Sequence, residues 1–192
     1  MVNTSCTRRW SLENLHLRIF QQQLRDQCQF FWLGVQSLEI GHKKNDHVQV
    51  WYGVQNILTA GANISKMLWG SKGRRADARR RLRESVEVSD DSPLRDVTMR
   101  NHYEHMDERI DRWWDSSETK IYVDKNIGSG SVSGLDTMDN FRWLNPSTGD
   151  LIFWGETFNL RSLAVEVDRI LAILEKEADK PHWELPPLAP SP

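Results

Sequence analysis

Residues 46–69, Asp46-HVQVWYGVQNILTAGANISKML-Trp69, decide how this chain folds. Val50, Val54, Ile57, Gly61, Ile64 and Leu68 recur in alternating steps of four and three, which lays one long apolar stripe along an α-helix. Gly61 on that stripe leaves room for a neighbouring helix to approach closely. Before this segment, Leu12, Leu15, Ile19, Phe31, Val35 and Leu38 predict another helix, from Ser11 as N-cap to Ile40, with Gly41 just past its end.

After it comes a basic stretch from Lys72 to Arg83, with seven Lys or Arg against one acid, Asp77. Asp90, Asp91 and Ser92 then precede Pro93, the signature of a helix start. The third helix is expected to reach Trp114, with Met99, Tyr103, Met106, Ile110 and Trp113 on its apolar face. Beyond it the period changes. Lys120 to Asp124 reads as a short strand and Asn126 to Asn140 as a Gly/Ser-rich connector. Arg142–Leu144 and Leu151–Trp154 flank the turn Asn145-Pro-Ser-Thr-Gly-Asp150, and Trp143 and Trp154 are expected to pair across that hairpin. A last helix, Leu160 to Ala178, carries Leu160, Leu163, Val167, Ile170 and Leu174 on one face.

The expected fold is mainly α, a bundle of four or more helices with a small antiparallel β element between the third and fourth. Residues 1–180 form one domain with the β insertion at about 119–158, and the tail 181–192, with five prolines, is extended or disordered. Of the 192 residues, 39% are hydrophobic and 27% charged, the balance of a globular chain. A net charge of −2 gives no overall attraction to nucleic acid or membrane, so any such affinity must be local. Cys6 and Cys28 make neither a disulfide framework nor a metal-ligand spacing, which favours a reducing compartment. With no secretory h-region and no long apolar run, a cytoplasmic location without membrane contact is expected.

The chemistry-bearing string is Met99-Arg-Asn-His-Tyr-Glu-His-Met-Asp-Glu-Arg-Ile110. On a helix, Asn101, His105 and Arg109 share one strip, with His102 beside it, away from the apolar face. Arg100 and His105 stand about 140° apart on a straight helix, so a long arginine reach or a second copy of the helix has to close the gap. The pairs Glu104–Glu108 and His105–Arg109 do not stabilise that face.

Arg100-Asn101-x-x-x-His105 resembles the arginine, polar residue, histidine motif of the HEPN superfamily of helical bundles. The longer string from Arg100 to Asp111 is similar to a group of uncharacterised bacterial HEPN-like proteins. In that group an earlier helix ends much like Ala62-Asn63-Ile-Ser-Lys-Met-Leu-Trp69. The resemblance covers about Ser11 to Trp114. It implies a metal-independent endoribonuclease working as a homodimer, with two motif helices facing each other across a two-fold axis. In that reading His105 moves the proton of the ribose 2′-hydroxyl or of the leaving oxygen, and Arg100 holds the scissile phosphate. Asn101 orients one of them, and Asn63 supports from the second helix. His102 is an imidazole the motif does not require, and the hairpin lies outside the minimal fold.

The same resemblance implies a toxin or defence effector, with an antitoxin or another regulatory protein as partner. Many members of the superfamily keep the bundle as a binding module, so the alternative is non-catalytic binding of RNA, a nucleotide or a protein. Arg79, Arg80 and Arg81 in the basic stretch, with His102 and Arg109, are the expected phosphate contacts, and Trp69 is placed to stack a base. His102, His105, Glu104, Asp107, His42 and His47 are acceptable metal ligands by type. No dense set of inward carboxylates accompanies them, so neither metal nor other cofactor is expected.

Overall fold

The computed structural model describes residues 4–130, 134 and 139–183. The part of the Gly/Ser-rich connector at 131–133 and 135–138, and the tail from 184 on, lie outside the described residues.

Two helices make the frame. Helix α1 (Thr4–Lys43) starts before and ends after the expected limits, and α2 (His47–Trp69) begins where the sequence places it. Asp46 caps α2, its Oδ1 accepting from the Gln49 amide at 3.0 Å. The pairs Gly34–Ile57, Gly41–Val50 and Gln27–Asn63 show the two helices running antiparallel. The close approach sits at Gly53 rather than Gly61: a Cβ on Gly53 would lie 2.5 Å from the Leu38 nitrogen and 2.7 Å from the Gly34 oxygen. At Gly61 the nearest neighbour is only Leu163 Cδ2, at 3.2 Å. Ile19, expected on the apolar stripe of α1, is 49% exposed, while Leu24, Cys28 and Phe31 face the core.

The basic stretch is folded onto this frame. It forms two single 3₁₀ turns, Ser71–Gly73 and Asp77–Arg79, and helix α3 (Arg80–Ser85). Arg83 is buried, and its Nη1 donates to the carbonyls of Leu68 (2.9 Å) and Ala76 (2.6 Å). That arginine closes the C-terminal end of α2, where carbonyls lack helical partners.

The expected third helix is divided. A 3₁₀ turn, Pro93–Arg95, is followed by α4 (Thr98–Glu104) and α5 (Met106–Ser116), which meet at His105 with φ −106° and ψ 39°. Met99 and Trp113 are buried as expected, but Ile110 is 41% exposed. Neither proline nor glycine marks the break, and contacts across it account for it below.

Strands β1 (Asn126–Ile127), β2 (Arg142–Asn145), β3 (Asp150–Phe153) and β4 (Glu156–Asn159) form one sheet in chain order. The hairpin β2–β3 is the expected one, and Asn145 stands opposite Asp150 across its turn. Three features differ from expectation. Of Lys120–Asp124, only Val123 pairs, in a parallel bridge to Asn140, and the strand forms at Asn126 instead, parallel to β2. A second hairpin joins β3 to β4 through Trp154 and Gly155, both at positive φ (54° and 79°), as a tight two-residue turn requires. Trp154 is therefore a turn residue, and Trp143 stands opposite Ile152.

Helix α6 (Leu160–Glu177) returns along α1, tied by Arg25–Asp179 at 2.6 Å and Arg18–Glu177 at 3.5 Å. Its Leu163, Val167, Ile170 and Leu174 are buried. The fold is thus mainly helical with a small four-stranded sheet between α5 and α6. Among the described residues, no helix is long and apolar enough to cross a membrane.

Candidate functional site

Helix α4 presents two different sides to the rest of the molecule. On one side the C-terminal turns of α2 and the turn after it form a cleft of about 450 Å³. Ser65, Lys66 and Trp69 line it from α2, Arg95 and Val97 from the approach to α4, and Arg100, Asn101, Glu104 and His105 from α4 and its end. All three motif residues thus line one cleft of one chain. The backbone from Arg100 to His105 is still helical, with the His105 amide donating to the Asn101 carbonyl at 3.0 Å, so the length of the arginine brings Arg100 to the cleft that His105 lines. A second copy is not needed to bring them to a common space.

The cleft is cationic although the chain is not. Lys66, Arg95 and Arg100 stand against one lining carboxylate, Glu104. Arg100 pairs with Glu104 one helical turn on, and its side chain is 18% exposed against 47% for its partner. The His105 side chain is 53% exposed, and its Nδ1, rather than its Nε2, lies 3.3 Å from Glu108 Oε1. Trp69 is 2% exposed and donates its indole N–H to Asp90 Oδ1 at 2.9 Å. That hydrogen bond holds the Asp90 carboxyl below the usual range, and the ring is too buried to stack a base.

The other side of the motif is structural. His102 is buried against Phe153, ring centroids 5.1 Å apart. Arg109 Nε donates to His102 Nδ1 at 2.9 Å, so the imidazole proton sits on Nε2, which donates to Glu156 Oε2 at 2.9 Å. Both ring nitrogens are used, and neither His102 nor Arg109 lines the cleft. These bonds span the kink: Arg109 from α5 is fastened to His102 from α4, which is fastened to the start of β4. The turn residue Trp154 covers the cluster, with the Arg112 guanidinium 4.9 Å and the Arg109 guanidinium 5.7 Å from its ring.

The remaining expected contacts fall elsewhere. Asn63 turns toward α1, donating to Gln27 Oε1 at 3.0 Å. Arg79 lies over the Phe20 ring at 3.8 Å, and Arg81 donates to Asn14 Oδ1. Both line a smaller cleft of about 200 Å³ with Glu13 and His16. Arg80 is exposed and pairs with Asp77 at 3.2 Å. Among the described residues of the basic stretch, Gly73 alone lines the motif cleft. His42, His47, His102 and His105 do not converge. Among the described residues, no three His, Cys, Asp or Glu side chains are grouped to hold a metal ion.

Sequence reasoning did not place Lys66 and Arg95, and it named, without pairing them to the motif residues, Glu104 and Glu108. The last two were within reach, since Glu104 stands four residues after Arg100 and Glu108 three after His105. Lys66 and Arg95 come from separate segments that only folding brings together. Comparisons with protein-family models, with curated proteins and with solved structures find no match to this chain.

Proposed function

We propose that the protein is a metal-independent endoribonuclease of the HEPN type, with Arg100, Asn101 and His105 as its working residues. One observation carries the reading: these three residues line a single cationic cleft with Lys66 and Arg95. Arg100 and its neighbours take the scissile phosphate, because a guanidinium matches phosphate oxygens with a fork of donors. His105, through the nitrogen that Glu108 leaves free, removes the proton of the ribose 2′-hydroxyl. The 2′-oxygen attacks phosphorus, the bond to the 5′-oxygen breaks, and that oxygen takes a proton from water in the open cleft. The products are a 2′,3′-cyclic phosphate and a 5′-hydroxyl. Asn101 orients the phosphate or the imidazole. Arg80 and other exposed cations of the basic stretch add sequence-independent affinity at a distance from the cleft.

In the same proposal the chain acts as a homodimer in the cytoplasm, as a toxin or defence effector held by a regulatory protein. Val48 and Tyr52, exposed at the end of α2 away from the cleft, offer apolar surface for such pairing. A non-catalytic module that binds RNA, a nucleotide or a protein is the second reading. It is favoured by the engagement of Arg100 with Glu104.

The test is RNA cleavage in excess EDTA by the native chain, His105→Ala and Arg100→Ala. EDTA-resistant cleavage lost in both variants supports the nuclease. RNA binding without cleavage supports the module instead.

A further inference from the structure

Within the cleft the charges are uneven. Three cations line it, and the one carboxylate among the lining residues, Glu104, is spent on Arg100. The pair is built to be weak. In an i, i+4 helical pair the better order places the acid first, and here the arginine comes first. The arginine side chain is largely covered at 18% exposure, whereas Glu104 is 47% exposed and can turn into solvent without moving the helix. Partly exposed ion pairs of this kind contribute little to stability. An arginine–phosphate contact is charge-assisted and can be bidentate, so it outcompetes such a pair.

Resting on the nuclease reading of the cleft, we infer that Glu104 is a built-in competitor for the phosphate group: its carboxylate occupies Arg100 until a phosphodiester displaces it. A ligand without a strong anion does not release Arg100. The cost of the displacement lowers resting affinity for the chain's own polyanionic ligand, and it speeds release once the phosphate leaves. Glu108 on His105 is a different case, because it contacts the ring nitrogen opposite the one left for substrate.

The experiment uses a short fluorescent 2′-O-methyl oligoribonucleotide, which keeps the phosphates of RNA and has no nucleophile. Binding is followed by anisotropy for the native chain, Glu104→Gln, Arg100→Ala, the double variant, and Glu175→Gln as a remote loss of one negative charge. Glu104→Gln is expected to bind about fivefold more tightly, the size expected for removing one like charge beside a partly exposed anion site. The gain must vanish on the Arg100→Ala background, and Glu175→Gln must not reproduce it. Equal affinity for Glu104→Gln and the native chain overturns the inference, as does an equal gain from Glu175→Gln or no binding by any variant. Cleavage of unmodified RNA is scored separately. Tighter analogue binding with no cleavage removes the nuclease and keeps the competitor, while cleavage without the affinity gain does the reverse.

Discussion

His102 and His105 lie three residues apart in one short string, yet their side chains are 7% and 53% exposed. The first is packed on Phe153, with one nitrogen accepting from Arg109 and the other donating to Glu156. The second sits at the junction of α4 and α5, half exposed, with only its Nδ1 near Glu108. The difference teaches that residue type and spacing nominate a histidine, while its neighbours assign its work. A ring with both nitrogens committed holds the fold, and a ring with one left over can move a proton.

The strongest attack on this contrast is kinetic. His105→Ala is expected to lower RNA cleavage by about 10²–10⁴-fold, the range for losing a positioned proton-transfer group, and Arg100→Ala by about 10²–10³-fold, the range for losing one anion-stabilising donor, with an unchanged melting temperature. His102→Ala should show the reverse balance. It empties a packed site and strands Glu156 and Arg109, costing about 2–4 kcal/mol in urea unfolding. Full stability with lost cleavage in that variant would break the contrast.

Acid provides the next test. Asp139 accepts from Ser117 Oγ (2.6 Å), Trp113 Nε1 (3.0 Å) and Thr119 Oγ1 (2.5 Å), and the serine and threonine bonds hold its carboxyl below the usual range. A folded-state value below the unfolded one contributes stability above about pH 4, which is lost as pH falls through the folded value. Urea midpoints followed by tryptophan fluorescence should fall on acidification, and Asp139→Asn should flatten that fall. The smallest effect is expected at Arg80, whose pair with Asp77 is exposed. Arg80→Ala should change stability by less than about 0.5 kcal/mol, and lower the salt slope of RNA binding by about one if that residue touches phosphate.

Much of the frame was legible because its signals are local. The start of α2 near Asp46, its apolar stripe, the turn 145–150 and the stripe of α6 each depend on residues within a few positions. The candidate site was legible only as a string. Arg100, Asn101 and His105 were named, with the long arginine reach as one way to join them, but His102 and Arg109 were counted with them although they are fastened to each other and to β4. Arg79 and Arg81 read as free cations, and they are spent on Phe20 and Asn14.

By itself, then, the sequence determined a mainly helical chain with a late hairpin and the string that carries its candidate chemistry. Caps, periodicity and turn chemistry act over one or two turns of chain, so they can be read without the fold. Only the tertiary structure decided the break at His105, the parallel pairing of β1 with β2 and the division of the motif into two sides. Each depends on a distant partner: Glu156 stands 54 residues from the His102 it holds, and Trp143 stands opposite Asn126 across the connector. The contacts of buried His102 with Phe153, Glu156 and Arg109 compete with the modest local preference for one continuous helix, and nothing within a few residues of His105 announces the partners in the sheet.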